Sequence, residues 1–261
     1  MNQNTAKEIK DMICDFVIHY QEKNQTETSW RKPVVGFADA NSPLFAELKE
    51  IIAPSHALPQ DIISGAKTVI TFFLPFGKEV IESNIPEEES SRSWDIANIE
   101  TNKLIIDINQ MLYDHITAKG FHSSQLPPTY NYNEEKLISD WSHKSAAYIS
   151  GIGTFGVHHL LITEQGCCGR IGSVITDMDM EHTAPLNKEL CLYKANGSCK
   201  KCEKRCVNNA ICIDENGIHY DRYKCNEQIY DKIVPVYPQG TGDACGKCMC
   251  GVPCAFESPV K

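Results

Sequence analysis

The sequence predicts an α/β (or α+β) sandwich domain over residues 1–185 and a smaller cysteine-rich domain over residues 186–261. Strand-like segments alternate with helix-like ones through the first part, as in a layered domain. At 261 residues the chain is long enough to bury a substantial core and to divide in two. Ten of its thirteen cysteines fall between Cys191 and Cys254.

Residues 5–23 set Ile9, Met12, Ile13, Phe16 and Val17 at the spacing of one helical face. Residues 34–37 read as a short strand, and Ser42-Pro43 opens a helix through Ile52. Residues 67–74, rich in Val, Ile, Thr and Phe, suit a buried strand. An acidic, serine-rich loop follows at residues 86–93. Over residues 94–119, Leu104, Ile108, Leu112 and Ile116 recur at helical spacing, and Gly120 supplies the stop. A shorter helix fits residues 141–150, closed by the turn Gly151-Ile152-Gly153. Strands follow at residues 159–163 and 172–176.

With 42% hydrophobic residues, composition disfavours disorder and membrane spanning. The longest apolar stretch, residues 69–76, is far too short to cross a bilayer. A formal net charge of −9, with no Lys/Arg run beyond two, argues against gripping a nucleic-acid backbone. The densest basic group, Lys200, Lys201, Lys204 and Arg205, surrounds cysteines and suits balancing a metal cluster's charge or docking an electron donor. Met1 opens a polar segment without a basic n-region, apolar h-region or cleavage site, so a reducing, cytoplasmic setting is expected.

The cysteines read Cys191, then Cys199-x-x-Cys202-x-x-x-Cys206, a lone Cys225, and Cys245-x-x-Cys248-x-Cys250-x-x-x-Cys254. A tight C-x-x-C lets two thiolates converge on one metal centre. In two-cluster ferredoxins the last cysteine of each run serves the other cluster. On that rule Cys191, Cys199, Cys202 and Cys254 hold one [4Fe–4S] cluster, and Cys206, Cys225, Cys245 and Cys248 hold the second. The small domain is thus expected to be a ferredoxin-like double-cluster domain, and the two runs are the chain's only approximate duplication. Asn196 stands where a first cysteine would lie, so Cys191 must loop back, and Val207 replaces the usual proline after Cys206. Structural zinc and a disulfide framework are the rival readings. Cys250 is a spare by the eight-ligand count, Cys212 packs beside a cluster, and Cys14 is a small core residue. Cys167 and Cys168 lie in a turn, where adjacency makes joint ligation awkward.

The segment Trp141-Ser-His-Lys-Ser-Ala-Ala-Tyr-Ile-Ser-Gly-Ile-Gly-Thr-Phe-Gly156, with residues 160–163 and 172–177 and the double-cluster run, resembles the epoxyqueuosine reductase family. It is closer still to that family's short members of unassigned substrate. The resemblance runs from about residue 34 to Cys254. It implies a corrinoid, cobalamin or a relative, on the larger domain beside two [4Fe–4S] clusters that pass electrons to cobalt, as in the related reductive dehalogenases. It also implies a low-potential donor of ferredoxin or flavodoxin type. A flat corrin wants close backbone approach, which Gly151, Gly153 and Gly156 can provide, with Phe155 and His158 beside them. The alternative is that these glycines only end a helix and turn into a strand. Either His158 or His159 could face the ring or ligate cobalt, and on a strand only one would.

The family's proton-donating carboxylate falls on Leu137 in the ungapped register, leaving Asp140, His143 and Tyr148 as the nearest substitutes. Histidine has the best-suited unperturbed pKa; Asp140 could instead cap the helix, and Tyr148 could be core. The acidic balance, and a chain that stops seven residues past Cys254, argue against transfer RNA as substrate. The leading expectation is a corrinoid-dependent reductase acting on a small molecule. The alternatives are a ferredoxin-like carrier or reductive activator of a separate corrinoid protein, and a zinc-stabilised interaction module.

Overall fold

The computed structural model describes residues 2–260; Met1, where the leader test above begins, lies outside them. At the centre is a three-stranded sheet in the order Val34–Asp39, Thr68–Pro75, Gly169–Thr176. Both pairings are antiparallel, with Val35 opposite Phe72 and Ile70 opposite Val174. The architecture is therefore mixed, and its antiparallel sheet is that of the α+β alternative.

Every residue of the middle strand is buried, as its β-branched and aromatic composition requires. Alternation sends Ile70, Phe72 and Leu74 to one face and Val69 and Phe73 to the other. The first face is covered by the helices Asn2–Asn24 and Arg92–Ala118. They bring Ile9, Ile13, Leu104, Ile108, Leu112 and Ile116 into full burial, each side chain contributing about 1.5–3 kcal/mol. The long helix starts two residues before the predicted position because the Ser91 hydroxyl accepts the Trp94 N–H at 3.1 Å.

The opposite face carries the helices Pro43–Ile51 and His143–Ile149, with Phe45 stacked on Trp141 at 5.9 Å between ring centroids. The second helix is capped by Ser142, whose hydroxyl accepts the Ser145 N–H at 3.2 Å. Asp140 is therefore not the cap; its carbonyl accepts the Ala57 N–H at 2.8 Å instead.

Two strand expectations change. Gly153–Phe155 pairs with Leu161–Thr163, so His158 and His159 sit in the connecting turn, not on a strand. The last sheet strand begins at Gly169, because Arg170 and Gly169 pair with Leu74 and Pro75. Beyond residue 190 come three short helices, a hairpin of Ile211–Asp214 with Gly217–Tyr220, and a π-helical turn. One apolar cluster runs from Phe76 at the sheet's end through Val157, Ile162 and Cys167 to Cys202, Met249 and Cys254. Arg31 adds polar ties alongside this cluster, donating to the carbonyls of Phe76, Gln165 and Phe256 at 2.8–2.9 Å. Among the described residues no helix is long and apolar enough to cross a membrane.

Candidate functional site: the C-terminal cysteines and their neighbours

Cys191 is the N-cap of the short helix Leu192–Asn196, which ends at Gly197 with φ +76°. That left-handed turn, cheap for glycine, brings the chain back through Cys199 to Cys202 on the helix Lys201–Arg205. Cys191, Cys199, Cys202 and Cys254 line a single cavity together with Val157 and His158. Asn196 fills the last position of the short helix, so the reach back to Cys191 is made by one helical turn.

The second foursome has a different frame. Cys206 ends the helix Lys201–Arg205, and its sulfur accepts the Ala210 N–H at 3.1 Å. Cys225 rides on the helix Arg222–Glu227, whose N-cap Asp221 accepts the N–H groups of Tyr223 and Lys224. Cys245 and Cys248 belong to the turn that packs Gly246 against the Trp94 indole. Between them Lys247 is 1% exposed and donates to the carbonyls of Asn84 and Pro86 at 3.1 and 2.7 Å. Arg205 donates to the carbonyls of Lys247 and Ile85. This cation therefore fastens the residue 84–86 segment to the cysteine turn.

The thiols act on one another. Burial raises the Cys248 pKa well above the usual thiol value, and neighbouring Cys225, Cys245 and Cys206 raise it further. Burial, then Cys254, Cys191 and Cys199, push Cys202 up to about 12. Cys225 and Cys245 are likewise raised, first by burial. Four sulfurs that resist ionising together become a strong donor set once a cation offsets their charge and releases their protons. The donor chemistry thus fits iron held by thiolates.

The remaining cysteines divide. Cys14 is buried on the first helix, as expected. Cys250 is fully buried and its sulfur accepts from Asn84 Nδ2 at 3.6 Å. Cys212 is exposed, because alternation along its hairpin turns it outward; it does not pack beside a foursome. Cys167 and Cys168 are both buried just before the last sheet strand, and Cys167 Sγ lies 3.9 Å from Cys254 Sγ. Sequence reasoning missed this contact, since 87 residues separate the two.

The candidate proton donors are scattered. His143 is buried, with Nδ1 at 2.8 Å from Ser173 Oγ and Nε2 at 3.0 Å from the Pro127 carbonyl. A carbonyl can only accept, so Nε2 carries the hydrogen and Nδ1 accepts from the hydroxyl. Burial pushes this imidazole down to about 4. Both nitrogens are committed to holding the fold. Asp140 is half-buried beside His56, and Tyr148 is half-buried with its ring 5.9 Å from that of Phe155.

The glycines are tight against the chain itself. A side chain at Gly151, where φ is +72°, would meet the Ala184 carbonyl oxygen; at Gly153 it would meet that of Ile162, and at Gly156 the His158 ring. Close approach is thus needed for internal packing, the turn-forming alternative. His158 is buried and faces Cys254, its Nε2 3.7 Å from the sulfur.

Beside Cys225 and Cys248, two residues to which the sequence attached no role, Lys144 and Tyr220, meet His159. The rings of His159 and Tyr220, both exposed, stack at 4.9 Å. Lys144, exposed yet walled in by protein, donates to the His159 carbonyl at 3.2 Å and feels the charges of Cys225 and Cys248. Enclosure lowers its pKa, the thiols partly countering this. Lys144 lies within the quoted motif, so the signal was present without a role attached.

No protein-family model matches the chain, and no curated protein sequence matches it. Solved structures do. An epoxyqueuosine reductase superposes with a TM-score of 0.55 at 15% identity, over 94% of this chain and 66% of its own. A catabolic reductive dehalogenase in complex with 3-bromo-4-hydroxybenzoic acid gives 0.56 at 19% identity, over 87% and 30%. A reductive dehalogenase described as performing B12-dependent dehalogenation gives 0.51 at 18% identity, over 75% and 27%. The chain therefore spans just under two thirds of the first and less than a third of the other two. At these identities the likeness is one of fold: the chain shares the mixed α/β architecture of epoxyqueuosine reductases and reductive dehalogenases.

Proposed function

We propose that the protein is an iron–sulfur reductase that works with a corrinoid. Cys191, Cys199, Cys202 and Cys254 hold one [4Fe–4S] cluster, Cys206, Cys225, Cys245 and Cys248 the other, and both belong to a ferredoxin-like unit over residues 186–261. What supports this reading is that Cys191, Cys199, Cys202 and Cys254 line one cavity, and that Cys206, Cys225 and Cys245 lie near enough to Cys248 to raise its pKa, on a backbone similar to that of known reductases. Each group has four soft sulfur ligands, the set a cubane takes.

The corrinoid's fit is tested by the surfaces available to a large flat ring. A side chain at Gly151, Gly153 or Gly156 would meet the chain's own atoms, so internal packing already accounts for these glycines. His158 is turned inward to Cys254, so it would not hold a ring bound at the surface. The residues that would hold the ring are the exposed His159–Tyr220 stack, Lys144 beside it, and the Tyr148–Phe155 pair. A corrinoid bound there would supply a cobalt centre able to take electrons singly and deliver them to a substrate.

The chain's own contribution is to orient the bound groups and to charge the surface around His159 and Tyr220. Although part of its ring reaches solvent, the protein around His159 lowers its imidazole pKa, and Lys144, Lys194 and Arg222 lower it further. A cationic rim of this kind favours an anionic small-molecule substrate. Of the expected proton donors, His143 has its N–H engaged internally, which leaves Tyr148 and Asp140 nearer to the surface. A ferredoxin- or flavodoxin-type protein is the fitting electron donor, and the compartment proposed is the cytoplasm.

Titration of the anaerobic protein with free cobalamin tests this reading. A saturable change in the corrin absorption bands, lost in Tyr220→Ala, is expected. An unchanged spectrum would contradict corrinoid binding and leave an electron carrier or reductive activator.

A further inference from the structure

Cys254 Sγ has two side-chain neighbours in a dry site: His158 Nε2 at 3.7 Å and Cys167 Sγ at 3.9 Å. His158, Cys167 and Cys254 are 3%, 2% and 9% exposed. The three ligand atoms lie within 4.8 Å of one another, spacings that one tetrahedral metal ion would also give, with about 3.6–3.8 Å between neighbouring ligands. The other ring nitrogen decides between ligation and hydrogen bonding. His158 Nδ1 accepts the Leu160 N–H at 3.1 Å and so carries no hydrogen itself. The neutral ring's one hydrogen is then on Nε2, aimed at the sulfur, and a protonated nitrogen does not bind a metal. His158 is a donor to Cys254, not a ligand beside it.

Cys167 is the second donor. It is 2% exposed, and an apolar, buried setting suits the uncharged thiol, which has one S–H to donate. That S–H can go to Cys254 Sγ or to the Met249 carbonyl, each at 3.9 Å. A metal-bound thiolate is the more charged acceptor and takes it. Cys167 is held in place by its own N–H, which donates to the Cys254 carbonyl at 2.9 Å.

We propose that His158 and Cys167 are positioning residues of the first cluster, donating two hydrogen bonds to the sulfur of Cys254 and raising that cluster's reduction potential. Hydrogen bonds to ligand sulfur disperse its charge, which favours the reduced, more negative cluster. The effect is greater in a water-free site. The inference rests on the iron–sulfur reading above and adds to it which residues set the potential of which cluster.

Redox titration of the anaerobic holoprotein, followed by electron paramagnetic resonance, tests it. His158→Leu and Cys167→Ala should each move one cluster's midpoint to more negative potential and leave the other where it was. His158→Gln, whose amide N–H can reach the sulfur, should recover part of the shift. Wild-type protein labelled with ¹⁵N-histidine, which needs no variant to fold, should show a weak coupling of one histidine nitrogen to the reduced first cluster. Unmoved midpoints in both variants with iron retained, equal shifts in His158→Gln and His158→Leu, or absence of the ¹⁵N coupling would overturn the inference. Iron-free wild-type protein would instead sink the cluster reading itself.

Discussion

His143 Nδ1 and Ser173 Oγ stand 2.8 Å apart, and the same hydroxyl accepts the Trp141 indole N–H at 2.9 Å. Helix and sheet strand are thereby joined by a polar pair inside an apolar layer, where an unpartnered group is costly. His143→Gln should cost about 2–4 kcal/mol of stability. The imidazole is held near 4 by burial, while the unfolded chain takes up this proton near 6.5. Stability should therefore be flat above pH 6.5 and fall as pH drops towards 4. Urea midpoints against pH measure this, and the variant should lose that part of the slope.

Asp95 behaves oppositely. It is 2% exposed, and burial pushes it up to about 6, against about 3.9 when unfolded. The folded state prefers the protonated acid, so this group favours folding below pH 4 and loses that advantage as pH rises through 6. Asp95→Asn should raise stability at pH 8 by about 1–2 kcal/mol and have little effect at pH 4. Thermal melts at the two pH values decide it; equal gains at both would count against a charge effect.

Gly153→Ala tests what the glycines are for. The added methyl would meet the Ile162 carbonyl oxygen across the hairpin, which predicts about 1–3 kcal/mol of destabilisation. Folded variant protein should still change the corrin bands on cobalamin titration. Intact stability with lost binding would mean that the glycine faces the ligand.

Lys144 acts on Cys225 and Cys248 by charge. Lys144→Gln should lower the second cluster's potential by about 20–60 mV, the scale of roughly 0.5–1.5 kcal/mol for one electron. The first cluster should not move. A shift confined to the first cluster would contradict the placement of this cation.

Much of the fold was legible because periodicity reports burial: Leu104, Ile108, Leu112 and Ile116 line one face, and residues 67–74, read as a buried strand, overlap the fully buried strand Thr68–Pro75. Element ends were less legible, since they depend on caps such as Ser91 and Ser142 and on pairing partners far along the chain. The candidate site divides in the same way. The C-x-x-C pairs Cys199/Cys202 and Cys245/Cys248 are local and could be read directly, whereas the cysteines that would complete each proposed group lie far along the chain. The Cys167–Cys254 contact, the inward turn of His158 and the Lys144–His159 bond arise from tertiary packing, which no local pattern encodes. His143 drew attention for its ordinary pKa, and only burial shows why it does not keep that value.

Iron content with electron paramagnetic resonance of anaerobically purified protein tests the central claim most directly. About eight irons per chain are expected, with dithionite-reduced spectra of two interacting [4Fe–4S] clusters, and Cys199→Ser and Cys245→Ser should each remove about half of the iron. A colourless wild-type protein without iron, or one holding zinc in its place, would contradict the account.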